Sequence, residues 1–390
     1  MKNFFNVLKV FLLVSVSMIA FASCTNNEGE DIKSYSVNVS ITLPEGVELS
    51  DISDLEVVGV GSSVSDFTVD MDGALSKDVT LVAGSYKFTV TGKVTETTFV
   101  VGTANVDVYG EDVVANVILV SQTQSSLIIK SIHHASVAGY YITDCAVEIL
   151  NNSDEVQYLD QLMLAANTAC NQTAANAWQA NGYENLYSTG QAPVLAFPGS
   201  GQDYPLEPGA SVWVVNTGID HGDADNVRPD QSNADFELYN PEASGGDTDI
   251  ASVTNMEIIF ANNSGTKGWG FGVNGGAWML ARCPEGVTPS EYAADAANSM
   301  TTPGTTSESL YLIFNTVNIL DAVFVVPSSN TTPYCYFLTQ DDAAPATAAT
   351  SWSGLGLRRK TEVVDGATKY VDTNNSANDF ETDVDLFNLF

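Results

Sequence analysis

The residues whose types and spacing come nearest to chemistry are the acidic side chains of one loop. Asp220, Asp223 and Asp225 fall within Asp220-His221-Gly222-Asp223-Ala224-Asp225, with Asp230, Asp235 and Glu237 close behind. Oxygen ligands on irregular backbone suit Ca²⁺. EF-hand spacing fails at Val227, which stands where a third ligand belongs, so a solvated acidic loop competes with a calcium site. Paired carboxylates also serve as acid and base in hydrolysis, but no spacing selects a pair. His133 and His134 are adjacent, so on a strand they face opposite ways and do not share a metal; structural or solvent-facing roles are expected. Gly270-Phe271-Gly272-Val273-Asn274-Gly275 has the Gly-x-Gly-x-x-Gly pattern. It lies between Trp269 and Trp278 in strand-like surroundings and reads as a hairpin with no helix to receive a phosphate. Gly-x-Ser-x-Gly, His-Glu-x-x-His and Walker patterns do not occur. Trp178 and Trp352 sit in polar, loop-like stretches. Exposed there, their indoles would be platforms for sugar rings or protein partners; burial under a loop is the alternative. Trp213, in an apolar run, is expected in the core.

The N-terminus addresses the chain. Lys2 and Lys9 flank a basic start, and residues 10–21 are apolar apart from Ser15 and Ser17. A bilayer span needs ~20 apolar residues, so this run has the dimensions of a signal-peptide core. It ends in Phe21-Ala22-Ser23-Cys24, which resembles the bacterial lipobox. That resemblance implies removal of residues 1–23 and lipidation of Cys24. Acyl chains at ~0.8 kcal/mol per buried CH₂ then anchor the protein in outer-membrane lipid. Residues 24–34 form an acidic tether that resembles the surface-export signal of Bacteroidota lipoproteins. A surface-facing outer-membrane position is expected, with the periplasmic leaflet as the alternative. No later run has spanning length.

The elements that must position any site are strands. Val, Thr and Tyr are plentiful and Lys is scarce, which favours β-structure. A net charge of −34 excludes nucleic-acid backbones as partners, since these demand Lys and Arg. Tyr35, Val37, Val39, Ile41 and Leu43 alternate with polar residues, the signature of a half-buried strand. Further short strands follow near residues 55–60, 67–71, 79–81, 86–90, 99–101, 106–108 and 113–120, with a turn at Asp72-Gly73. Residues 35–120 therefore read as a β-sandwich. Gly84-Ser85-Tyr86 resembles the Gly-x-Tyr step of transthyretin-like modules, which implies a spacer domain. The polar run 121–126 reads as a linker, and residues 127–390 as a second β-domain with loop insertions. Short helices are expected near 171–180 and 289–297. Beyond Cys24, the cysteines Cys145, Cys170, Cys283 and Cys335 allow three disulfide pairings. No Cys-x-x-Cys is present, so buried thiols are an equal reading.

Several stretches of the second domain resemble the lamin-tail domain, an immunoglobulin-like sandwich. They are the strand Ala146-Val147-Glu148-Ile149-Leu150-Asn151, the turn and strand Leu206-Glu207-Pro208-Gly209-Ala210-Ser211-Val212-Trp213, the strand around Arg358-Arg359-Lys360, and Asp372-Thr373-Asn374-Asn375-Ser376-Ala377-Asn378-Asp379-Phe380. Ala146 and Leu150 replace the usual aromatics, so the first of these packs differently. With the lipobox and Ser232-Asn233-Ala234-Asp235-Phe236-Glu237, the chain resembles Bacteroidota lipoproteins of domain-of-unknown-function family 4876 over most of residues 35–390. The resemblance implies a mainly β protein: an N-terminal immunoglobulin/transthyretin-like β-sandwich, then an elaborated lamin-tail-like β-sandwich. It implies no established activity; no enzymatic activity and no cofactor are expected, with Ca²⁺ at the acidic loop left open. The expected function is a non-catalytic binding lipoprotein, accessory to a TonB-dependent outer-membrane receptor. A carbohydrate-binding lipoprotein and a metal-dependent hydrolase using the Asp220–Asp225 loop are the alternatives.

Overall fold

The computed structural model describes residues 33–61, 64–95, 98–137, 143–167, 174–190, 192–222, 228–265, 268–269, 272–330, 336–348, 351–364 and 367–390. Eight strands build the first unit: β1 (Ser34–Thr42), β2 (Ser53–Gly61), β3 (Val64–Thr68), β4 (Ser76–Val82), β5 (Gly84–Lys93), β6 (Thr98–Val108), β7 (Val113–Ile118) and β8 (Val120–Thr123). One sheet has the order β4-β1-β7 and the other β3-β2-β5-β6-β8. The expected alternation is present in β1, where Val37, Val39 and Ile41 are buried. They share a core with Val57, Phe88, Val90 and Val100 of the facing sheet. Asp72 and Gly73 turn the chain with φ of 51° and 72°, a left-handed conformation that Gly and Asp tolerate best.

Two boundaries differ from the sequence reading. The strand expected over 113–120 breaks at the buried Leu119, where the chain passes from one sheet to the other. The polar run 121–126 is not all linker. Ser121 pairs with Val100 and Gln122 with Phe99, because the open edge of β6 needs main-chain partners whatever side chains the partner carries.

The second unit begins with β9 (Leu127–His133) and β10 (Ala146–Asn151). A seven-stranded sheet runs in the order Thr254–Asn255, Phe236–Glu237, Ser211–Val215, β10, β9, Gly356–Arg359 and Phe380–Val384. A six-stranded sheet faces it: Glu257–Phe260, Val194–Ala196, Met163–Asn167, Gly276–Ala281, Ile319–Pro327 and Ala346–Ala348. Ile129, Val147, Ile149 and Val214 meet Leu164, Trp278, Leu280, Val323 and Val325 between them. Strands such as β10, Met163–Asn167 and Gly276–Ala281 are buried on both faces, which is why they read as nearly continuous apolar runs. The one buried charge of β10, Glu148, is met by Lys130 Nζ at 2.6 Å, Ser131 Oγ at 2.8 Å and Ser211 Oγ at 2.6 Å.

A third layer covers the outer face of the six-stranded sheet. Tyr187, Leu312 and Phe314 of a small sheet and Tyr292 of a helix pack there against Met163, Met279 and Phe324. That helix spans Pro289–Ala294 and opens with a capping box between Thr288 and Glu291. It is shorter than expected, because Asp295 turns extended and caps a separate turn, Ala296–Asn298. The helix expected near 171–180 is one turn, Ala177–Ala180, with 171–173 outside the described residues. Gly275 takes a φ of 113° and feeds strand Gly276–Ala281, where an added Cβ would lie 2.2 Å from the Val325 carbonyl oxygen. The glycine pattern thus serves a turn into a strand, with Gly270 and Phe271 outside the described residues.

Candidate functional site

A hollow lies where the two units meet. Its volume is about 700 Å³, within the roughly 300–1,000 Å³ of ligand pockets, which favour such junctions. The floor is the outer face of β5 and β6. Their antiparallel register sets Ser85 opposite Asp107, Lys87 opposite Asn105 and Thr89 opposite Thr103. Side chains two apart on a strand share a face, so the floor is three polar cross-strand pairs in a row. The far wall comes from the second unit: Gln179, Phe337, Leu338, Thr339, Pro345 and Thr347.

The groove is closed at one end and open at the other. Lys87 Nζ donates to the Ala343 carbonyl at 2.8 Å, and the Thr103 and Thr339 hydroxyls lie 3.0 Å apart. These contacts tie floor to wall where Lys87, Thr89 and Thr103 are half-buried. At the mouth Asp66, Ser85, Asn105 and Asp107 are exposed. Ser85 Oγ donates to Asp107 Oδ1 at 2.6 Å. Gln179, on the wall, has a buried Nε2 that donates to no protein atom. The first unit is therefore docked on the second, not merely strung before it: Gln124 Nε2 also donates to the Tyr370 carbonyl at 3.4 Å. A second, shallower hollow of about 420 Å³ includes Asp203, Tyr204, Asp235 and Thr254. Burial raises the Asp235 carboxyl above its usual range, and its Oδ2 accepts from Trp213 N at 2.8 Å.

The titratable groups singled out in the sequence lie elsewhere. Asp220 is exposed, and its Oδ1 accepts from Gly222 N at 2.9 Å. Asp220 also forms an isolated bridge with Asp230. Asp223 and Asp225 lie outside the described residues, as do Cys24, Cys170 and Cys335. Among the described residues no group of three or more His, Cys, Asp or Glu could hold a metal ion, and no helix is long and apolar enough to cross a membrane. Cys145 belongs to the core between the two main sheets, whereas Cys283 borders the core on the far side of the six-stranded sheet. These two cysteines therefore do not meet.

Both histidines of the pair are buried, so the solvent-facing alternative is corrected. His133 packs edge-on against Phe387 and Phe390, with ring centroids at 5.7 and 6.3 Å. His134 Nδ1 lies 3.1 Å from the Gly272 carbonyl, and burial pushes that ring down to about 4. His133 Nε2 stands 3.8 Å from Asp144 Oδ2, which Arg228 Nη2 meets at 2.9 Å. Burial works to raise Asp144, yet His133 and Arg228 hold it at about 2. This cluster locks β9, the 143–145 entry to β10 and Arg228 together.

The tryptophans separate. Trp178 is only 5% exposed and meets Tyr311 edge-on at 6.0 Å. This corrects its candidacy as an exposed ligand platform: the single helical turn that carries it lays the indole inward. Trp352 is 41% exposed with a φ of 57° and keeps its candidacy. Trp213 is buried, but on the outer face of the seven-stranded sheet. The C-terminal residues cover it there, with Phe390 at 4.3 Å and the Leu389 carbonyl accepting from Nε1 at 3.1 Å.

The groove residues escaped the sequence reading. Ser85, Lys87 and Thr89 alternate with buried Tyr86, Phe88 and Val90, a pattern that marks an outward face without saying what covers it. Nothing local in residues 337–347 announces that they fold against a strand more than 200 positions earlier.

Residues 207–386 match the family model described as protein of unknown function, DUF4876. The whole chain is similar to the crystal structure, at 2.50 Å resolution, of a DUF4876 family protein from Bacteroides thetaiotaomicron VPI-5482. The two are 26% identical, the alignment covers 90% of this chain and 95% of that one, and the TM-score is 0.59. No curated protein matches the chain.

Proposed function

Since residues 207–386 match the DUF4876 family model, which is defined without an activity, we propose from the residues themselves that the chain is a lipid-anchored, non-catalytic binding protein of the outer membrane. Cys24 is its lipidation site, residues 24–34 its tether, and the groove between the two units its ligand seat. The observation that carries the reading is the groove: both units contribute polar side chains to it, and its volume suits a small ligand. The most perturbed carboxyls favour binding over catalysis. Asp321, Asp342 and Asp379 are enclosed in the second unit and committed to hydrogen bonds there, and Asp341, which burial raises to about 6, accepts from the Tyr187 hydroxyl.

A surface-facing lipoprotein of this kind would present the groove to cargo and pass it to a TonB-dependent outer-membrane receptor. The test is a mild-detergent pull-down of the lipidated protein from native membranes, with partners identified by mass spectrometry, run beside Cys24→Ala. Co-purification of a stoichiometric outer-membrane receptor, lost on Cys24→Ala, is the expected result. Recovery of the wild-type chain in the soluble fraction would sink the anchored reading, and recovery from the membrane without a receptor would sink the receptor role.

A further inference from the structure

We propose that the groove takes a short neutral oligosaccharide, lying across the β5–β6 floor; this deepens the binding reading and rests on the groove being the ligand seat. The argument starts from what the floor cannot accept. β5 is paired on both sides, with β2 and β6, whereas β8 covers the outer edge of β6 only over Thr98–Val101. The main-chain groups of β5 are spent, so a peptide lying across the floor cannot enter beside it as an added strand, the mode by which extended peptides join a sheet. Anions are also poorly served. Among the described residues the only cation on the lining is Lys87, whose Nζ already donates to Ala343, while Asp66 and Asp107 stand at the mouth. A phosphate or uronate would meet two carboxylates there.

What remains is a surface of hydroxyls, amides and carboxylates. Ser85, Thr89, Thr103 and Thr347 both donate and accept, as do Asn105 and Gln179. Sugar hydroxyls do the same, and carboxylates accept from them. Gln179 supplies a buried donor, Nε2, with no protein acceptor, and a buried amide hydrogen gains most from being met. Phe337, Leu338 and Pro345 give the opposite wall an apolar strip, suited to the C–H face of a pyranose ring. Polar floor and apolar wall thus match the two sides of a sugar ring.

The test uses the purified full chain in detergent and isothermal titration calorimetry. The probes are neutral di- to tetrasaccharides of gluco-, manno-, galacto- and xylo-configuration, with a galacturonate trimer and a lysine tripeptide as charged comparators. At least one neutral oligosaccharide is expected to bind. Asn105→Ala and Asp107→Ala should each weaken it by roughly tenfold, since both side chains are exposed and their loss leaves the core untouched. Asn105→Trp, which fills the floor, should abolish binding while thermal unfolding stays cooperative. Binding of the lysine tripeptide alone, lost on Asp107→Asn, would overturn the saccharide assignment and leave the groove as a seat for cations. Binding of the galacturonate trimer alone would overturn it too. No binding by any probe, or saccharide binding undiminished in all three variants, would overturn both the assignment and the groove.

Discussion

Arg359 donates through Nη2 to Asp321 Oδ2 at 2.7 Å, and this contact fastens the two main sheets of the second unit to each other. Arg359 ends strand Gly356–Arg359 of the seven-stranded sheet, and Asp321 lies in strand Ile319–Pro327 of the facing sheet. The guanidinium is fully enclosed. Its Nη1 also donates to Asp372 Oδ1 at 3.0 Å and Asp379 Oδ2 at 3.2 Å, and its Nε to the Ile129 carbonyl at 2.9 Å. Phe380 stacks beneath it with the ring centroid at 4.7 Å. Burial raises Asp321 and Asp379, Arg359 opposes the rise, and the neighbouring Asp372 adds to it.

Arg359→Met removes the guanidinium that three buried carboxylates share. Breaking a buried pair on one side typically costs about 3–5 kcal/mol. The loss should be smaller at pH 5 than at pH 8, because Asp321 and Asp379 protonate more readily once the guanidinium is gone. Urea unfolding at the two pH values checks this, and an equal loss at both would contradict the account.

Asp342 gives a second pH signature. Its oxygens accept from Ser376 N, Ser376 Oγ and Phe324 N at 2.8, 2.7 and 2.8 Å, but burial outweighs these bonds and raises the carboxyl from 3.8 to about 8. A folded-state value above the unfolded one means that the native state holds the extra proton. The stability this group contributes is fully present below about pH 4 and is lost as pH rises toward 8. Asp342→Asn loses an acceptor and should be less stable overall, with a flatter decline between pH 5 and 8. Denaturant midpoints at pH 5, 6.5 and 8 decide; a decline as steep as wild type would contradict the assignment.

Trp178 and Trp352 should behave as opposites. Trp178→Ala empties a buried site and is expected to cost about 3–5 kcal/mol. Trp352→Gly should stay within about 1 kcal/mol, since the residue is 41% exposed with φ at 57° and glycine adopts that conformation without strain. Acrylamide quenching should fall on Trp352 far more than on Trp178. Equal quenching would place both indoles at the surface.

Lys87 and Thr339 hold the two units together. Lys87→Met with Thr339→Val removes two hydrogen bonds, each worth about 1 kcal/mol net. Calorimetry of the wild type should show coupled unfolding, and the double variant an earlier transition of the first unit. An unchanged profile would mean that other contacts govern docking.

The sequence by itself determined the strands and much of what closes the second unit. Alternation in Tyr35, Val37, Val39 and Ile41 marks β1, and Arg359, Asp372, Asp379 and Phe380 occur in motifs that the structure gathers around one guanidinium. Such patterns are legible because period and local spacing fix which face a side chain takes. The tertiary structure alone decided the rest. It supplied Asp321, a single acid in an apolar strand, as the third partner of Arg359, 38 residues away. It turned Trp178 inward, moved Trp213 under the C-terminus, and made the Ser85–Lys87–Thr89 face the floor of a groove by laying residues 337–347 across it. Alternation states that a face points away from its own core; only the packing of distant segments decides whether water or another wall meets it.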